Sequence, residues 1–117
     1  MSKSRLEILD HILVEIEFLQ THREDLTEAK FAADEVRQRA FVRSLEIIGE
    51  AVKGIDDTLK NKHPEINWKE IAGMRDKLIH HYFGVDYNLV WDVIENKIDK
   101  LKSDLEHIKK QNPSRSS

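Results

Sequence analysis

Between Phe41 and Leu59, six apolar residues (Phe41, Leu45, Ile48, Val52, Ile55 and Leu59) follow one another at steps of four and three without exception. At about 3.6 residues per turn those steps hold all six on one stripe of an α-helix, whereas a strand, with its period of two, would scatter them over both faces. A helix with such a seam needs other helices to cover it. Two further series of the same kind supply them: Leu6, Leu9, Leu13, Ile16 and Leu19 near the start, and Trp91, Ile94, Ile98, Leu101, Leu105 and Ile108 near the end. The expectation is an all-α fold of four to five helices, mostly antiparallel, with no strand.

The punctuation between the seams sets the boundaries. Ser4 and Glu7 stand at the spacing of a capping box, which predicts a first helix over about 5–22. From Thr27 the chain turns helical again. An unbroken helix from there to Leu59 would be roughly 50 Å long, so a break is expected near Ala33 and Asp34, leaving a short piece before the seam helix. Gly49 sits inside that seam at a cost of about 1 kcal/mol against alanine, which points to another backbone crossing closely. Pro64 ends helical structure in 61–67, Asn67 and Glu70 form a second capping box, and a helix is expected from Trp68 until Gly84 supplies a left-handed stop. Asp86 then caps a last helix ending near Lys110. Residues 1–110 read as one domain, and 111–117 as a tail with nothing to bury.

With 39% hydrophobic and 35% charged residues the composition is that of a water-exposed helical domain. There is no cysteine, hence no disulfide and no thiolate metal site. No secretory apolar region and no run long enough to span a bilayer is present, so no membrane association and a cytoplasmic location are expected. The net charge of −3 argues against coating nucleic acid along the whole surface but leaves room for a local basic cleft. Arg37, Arg39 and Arg43 form one basic cluster, and Lys97, Lys100, Lys102, Lys109 and Lys110 another. Interleaved acids favour a solvated helix face for both. Glu46 and Glu50, one turn apart, are better read as ion-pair partners of Arg39 and Arg43 than as metal ligands. His80 and His81, with the distant His63, are a poor metal set, because neighbouring residues point to different sides; no metal or cofactor is expected.

The chemically useful side chains gather in Arg75–Gly84, RDKLIHHYFG. A histidine takes or gives a proton near neutrality, and an arginine presents a permanent fork of donors to phosphate oxygens. Together they suffice to cleave a phosphodiester without metal. On a straight helix Arg75 and Tyr82 would lie about 20° apart and Arg75 and His80 about 140° apart. One helix therefore cannot aim all three at a single point. Either it unwinds at His80, or a second copy of the motif completes the site.

Arg75, His80 and Tyr82 reproduce the R-x4-H-x-Y pattern of the HEPN superfamily, and the chain resembles its HepT-type toxins. Arg39 to Val52 (RAFVRSLEIIGEAV), the W-x2-I-x-G-M run from Trp68 to Met74 and the HHYFGVD continuation carry the resemblance over most of 5–105. It implies a homodimer whose motif helices face each other across a cleft. It also implies a metal-independent endoribonuclease in which His80 serves as general base or acid, Arg75 stabilises the phosphorane, and Asp76, the polar residue after the arginine, orients Arg75 or His80. The resemblance further implies a cognate nucleotidyltransferase antitoxin of the MNT type that transfers AMP to Tyr82 and silences the nuclease. The competing possibility is a non-catalytic helical dimer, an adaptor that binds nucleotide or a partner enzyme in the same cleft.

Overall fold

The computed structural model describes residues 4–80 and 84–111 of the 117-residue chain, with only the backbone of His80. Helices α1 (Arg5–Arg23) and α3 (Glu35–Lys53) form the largest pairing, bridged by the short α2 (Glu28–Ala32). The remaining helices, α4 (Asp57–Lys62), α5 (Trp68–Ala72), α6 (Met74–Leu78), α7 (Tyr87–Asn96) and α8 (Ile98–Gln111), wrap this pair. The capping box at Ser4 is formed in both directions: its Oγ accepts from the Glu7 N–H at 3.2 Å, and Glu7 Oε1 accepts from the Ser4 N–H at 3.1 Å. The expected break at Ala33 and Asp34 is present, because Asp34 caps α3 by accepting from the Arg37 N–H. Gln38 then bonds the last carbonyls of α2, at Phe31 and Ala32.

The α3 seam is the centre of the core. Phe41, Leu45, Ile48 and Val52 are fully buried against Leu9, Ile12, Ile16 and Leu19 of α1 and against Ile94, Ile98, Leu105 and Ile108. Each such side chain contributes on the order of 1.5–3 kcal/mol of burial. In α1 it is Ile12 that is buried, while Leu13 is only partly covered. Phe31 stacks on Phe41 at 5.4 Å and meets Trp91 at 5.3 Å, which ties α2 to α3 and α7.

Three of the expected helices are interrupted, so eight helical segments stand among the described residues where five were expected. The seam helix stops at Gly54, and Asp56 caps a separate α4. Ile55 and Leu59 are buried all the same, because the short turn restores their phase. The last helix is broken at Lys97 and the motif helix at Gly73. Nor is the protein wholly without strand: β1 (Ile79–His80) and β2 (Gly84–Val85) pair antiparallel, Ile79 opposite Val85 and His80 opposite Gly84. Of the expected tail, 112–117 lie outside the described residues.

One polar clamp fastens the ends of the bundle. Arg23, in the last turn of α1, donates to the Ile94 carbonyl at 2.6 Å and to both Asp99 oxygens at 2.8 and 2.9 Å. The hydrogen bond from Arg23, followed by one from Gln20, holds the Asp99 carboxyl below its ordinary range. A depressed folded-state pKa gives stability that is present above the unfolded value of about 3.9 and is lost as pH falls through the folded one. Asp99→Asn should therefore lower stability at pH 7 by about 0.5–1 kcal/mol, the upper part of the range for exposed pairs, and make little difference near pH 2. Thermal unfolding of both proteins at the two pH values checks this.

Candidate active site

Two close approaches place Arg75. At Gly49 the backbones of α3 and α5 touch: a Cβ there would lie 3.0 Å from the Ile71 carbonyl oxygen and 3.5 Å from that of Ala72. This is the close crossing that a glycine inside the seam predicts. One turn before Gly49 on α3 is Glu46, and one turn beyond Ala72 is Arg75, so the crossing brings these two side chains to one place. Arg75 Nε donates to Glu46 Oε2 at 2.9 Å. The arginine side chain is 60% exposed and the glutamate 22%, so the carboxylate is the seated partner and the guanidinium reaches into solvent. Among the described residues no other acceptor meets the guanidinium, leaving its two terminal amino groups available. An ion pair this exposed adds little stability, and its consequence is orientation.

The helix bearing Arg75 ends early. After Leu78 the chain becomes extended at Ile79 (φ −112°, ψ 112°), whose N–H closes on the Arg75 carbonyl. β-Branched Ile79 and the following HHYF are weak helix formers, and the Asp86 N–H donates to the Leu78 carbonyl at 2.8 Å, drawing the returning chain against the helix end. His80 therefore lies on a strand and is released from the 140° offset that a continued helix would impose, the first of the two routes left open by the spacing. Gly84, at φ 76°, is in the left-handed region as expected, but it serves the hairpin. Asp86 caps α7 as expected, accepting from the Leu89 N–H.

The other expected residues are distributed as follows. Asp76 is exposed and makes no hydrogen bond or ion pair to the described residues; Glu46 occupies the orienting place beside Arg75. Tyr82 and His81 lie outside the described residues, and of His80 only the backbone position is described. His63 is buried at the end of α4, its Nδ1 3.3 Å from Glu65, and its carbonyl accepts from Trp68 Nε1. Among the described residues no three histidines or carboxylates gather as a metal site. The basic clusters are largely paired: Arg37 with Asp25 and Asp34, Arg39 with Glu35, Lys97 with Glu70, Lys100 with Asp104 and Lys109 with Asp10. Glu46 and Glu50 are in ion pairs too, but with Arg75 and Lys53 and not with Arg39 or Arg43. Glu46 is the residue that sequence reasoning undervalued. Its signal was its place one turn before the glycine at which a second backbone had to pass.

The family model of HepT-like ribonucleases matches residues 12–108, nearly the whole described chain. The chain belongs to the HepT-like family. Among its HepT-like relatives, "Putative RNase TTE0752" of Caldanaerobacter subterraneus subsp. tengcongensis is 51% identical over 86% of this chain and 89% of its own length. "Probable ribonuclease HepT" of Thermococcus cleftensis is 42% identical over 94% of this chain and 100% of its own. "Putative RNase MJ0127" of Methanocaldococcus jannaschii is 46% identical over 72% and 69%. No solved structure matches this HepT-like chain.

Proposed function

We propose that this protein is a metal-independent endoribonuclease and the toxin half of a HEPN/MNT toxin–antitoxin pair. The observation that carries the reading is the Arg75 fork, tethered at Nε by Glu46 and free at its amino ends among the described residues, five residues before His80, whose backbone has left the helix. The RNase names of its relatives support the same class of activity. In the reaction, His80 removes the proton of a ribose 2′-hydroxyl, and the oxygen attacks the adjacent phosphorus. The bond to the 5′-oxygen breaks, that oxygen takes a proton from the second histidine of a homodimer, and a 2′,3′-cyclic phosphate remains. The amino groups of Arg75 stabilise the charge that builds on the phosphorane oxygens. The need for a 2′-hydroxyl restricts cleavage to RNA. Asp76, the residue after the arginine, serves in this reading to orient Arg75 or His80. An AMP on Tyr82 competes with the RNA phosphate for Arg75, which is how the antitoxin would silence the nuclease.

The test is incubation with RNA in excess EDTA. Cleavage to 2′,3′-cyclic ends, with a 2′-deoxy substrate left intact, is the expected result; binding without cleavage would replace the nuclease by the adaptor. With the nucleotidyltransferase, ATP and Mg²⁺, mass spectrometry should find AMP on the Tyr82 peptide and none on Tyr87, which packs edge-on against Phe31 at 6.4 Å. AMP on Tyr87 with Tyr82 bare would remove Tyr82 from the reading.

A further inference from the structure

A cavity of about 250 Å³ opens where α5, α6, α7 and α8 converge over α3. Its floor is apolar, made by side chains that include Leu45, Ile48, Ile71, Met74, Val93 and Leu101. Two of the helix interruptions border it. Ile71 and Met74 stand on either side of the step from α5 to α6, and Asn96, Lys97 and Ile98 span the step from α7 to α8. Most core side chains of α1 and α3 are fully covered, whereas Met74, Val93 and Leu101 keep 8, 8 and 9% of their surface exposed. An apolar recess that the chain does not fill with its own side chains, with a few polar groups at its mouth, is the usual form of a small-molecule site.

The charges at the mouth fix the sign of the ligand. Glu65, Glu70 and Asp104 border the cavity together with Lys77, Lys97 and Lys100. All three carboxylates are already engaged: Glu65 lies 3.3 Å from His63 Nδ1, Glu70 3.6 Å from Lys97 Nζ and Asp104 2.9 Å from Lys100 Nζ. Of the six, Lys77 is the one with no ion-pair partner among the described residues. A lysine stem can lie along an apolar wall while its ammonium meets a charged group at the edge. Lys77 stands about 160° around α6 from Arg75, so this cation serves the cavity and not the candidate active site.

We propose that the cavity binds a small amphiphile, a medium-length apolar chain ending in one carboxylate. The chain lies against Met74, Val93 and Leu101, and the carboxylate meets Lys77. The inference goes beyond the nuclease reading and does not rest on it.

The chain has two methionines, so isotope labelling of their methyl groups gives the cavity a magnetic-resonance signal of its own, which Met74→Leu identifies by removing it. Octanoate titrated into the full wild-type chain should move the Met74 signal to saturation. From butanoate to octanoate each added methylene should tighten binding roughly fourfold, the ratio that burial of one such group gives, and with longer chains the gain should stop once the cavity is full. Octylamine and octanol should bind severalfold more weakly than octanoate, and Lys77→Glu, an exposed change that leaves the floor intact, should reverse the order of octanoate and octylamine. A Met74 signal that stays still at millimolar octanoate, or an affinity that climbs with chain length without levelling, would overturn the cavity as a ligand site. Octanol binding as tightly as octanoate, or a Lys77→Glu protein that keeps the original order, would overturn the anionic ligand. None of these measurements uses RNA cleavage, so their failure leaves the nuclease reading standing, and a protein that binds octanoate but does not cut RNA keeps the cavity site and loses the nuclease.

Discussion

Arg75→Ala should lower RNA cleavage in EDTA by about 10²–10³-fold, the loss typical of removing one preorganised donor from a developing oxyanion. His80→Ala should lower it by about 10²–10⁴-fold, and His81→Ala, at the variable position of the motif, by much less. Helical content should be unchanged in all three, since Arg75 is exposed and among the described residues its side chain is held by Glu46 alone. Arg75→Lys should not rescue, because a point charge cannot satisfy the carboxylate with one edge and a phosphate with the other. Glu46 gives the sharper test. It touches no substrate in the proposed reaction and acts as a positioning residue through Arg75. Without its carboxylate the guanidinium is better able to bind phosphate but is no longer aimed. Glu46→Ala should therefore reduce kcat by roughly tenfold or more while KM stays level or falls, within the 10²-fold that a misplacement of about 1 Å can cost. Glu46→Gln retains an acceptor and should recover part of the loss. Equal activity of wild type and His80→Ala would remove the nuclease assignment, and a rise in KM for Glu46→Ala would remove its positioning role.

Gly49→Val should be the most damaging single change away from the motif. A Cβ at this site would lie 3.0 Å from the Ile71 carbonyl oxygen, and that neighbour is backbone, which cannot rotate aside as a flexible side chain would. Two terms oppose each other for Gly49→Ala. Helix propensity favours alanine by about 1 kcal/mol, whereas overpacking costs about 1–3 kcal/mol. The crossing leaves no room for relaxation except by separating α3 from α5, so the second term wins and a net loss of about 1 kcal/mol is expected. Valine adds two methyl groups at the same contact and should cost about 3 kcal/mol or more. Chemical denaturation measures both. Activity measured on the folded fraction should fall as well, because the crossing that Gly49 permits is what sets Arg75 beside Glu46. A Gly49→Ala protein more stable than wild type would contradict this account.

These two sites also show what could be read from the residues alone. Gly49 announced its crossing, because a glycine at the centre of an otherwise faultless seam has a cost that something must offset. Its destination could not be read, since the touching carbonyls belong to Ile71 and Ala72. For the same reason Glu46 was assigned to arginines one turn away, when its partner is 29 positions along the chain. The breaks at Gly54 and Lys97 were hidden by the periodicity itself. Steps of three and four report which way a side chain faces, and Ile55, Leu59, Ile98 and Leu101 face inward whether or not the backbone hydrogen bonds run through. At Gly54 the local evidence was available, a glycine followed two residues later by the capping Asp56. At Lys97 we have no physical account of the break from sequence. The end of α6 at Leu78 depends on the Asp86 N–H returning to close it, a contact that only the folded chain makes.

The backbone origin of that closure has a consequence for how this site can change. Ile79 and His80 are held opposite Val85 and Gly84 by main-chain pairing, and the segment is fastened to Leu78 by a main-chain N–H. Side-chain identity at position 80 is therefore not what keeps the hairpin in place. The chemistry offered there can be exchanged without dismantling its support, while Gly84, whose left-handed conformation few other residues tolerate, is the fixed point around which such exchanges must occur. A scaffold arranged in this way separates what is done from where it is done, and lets the first drift while the second is kept.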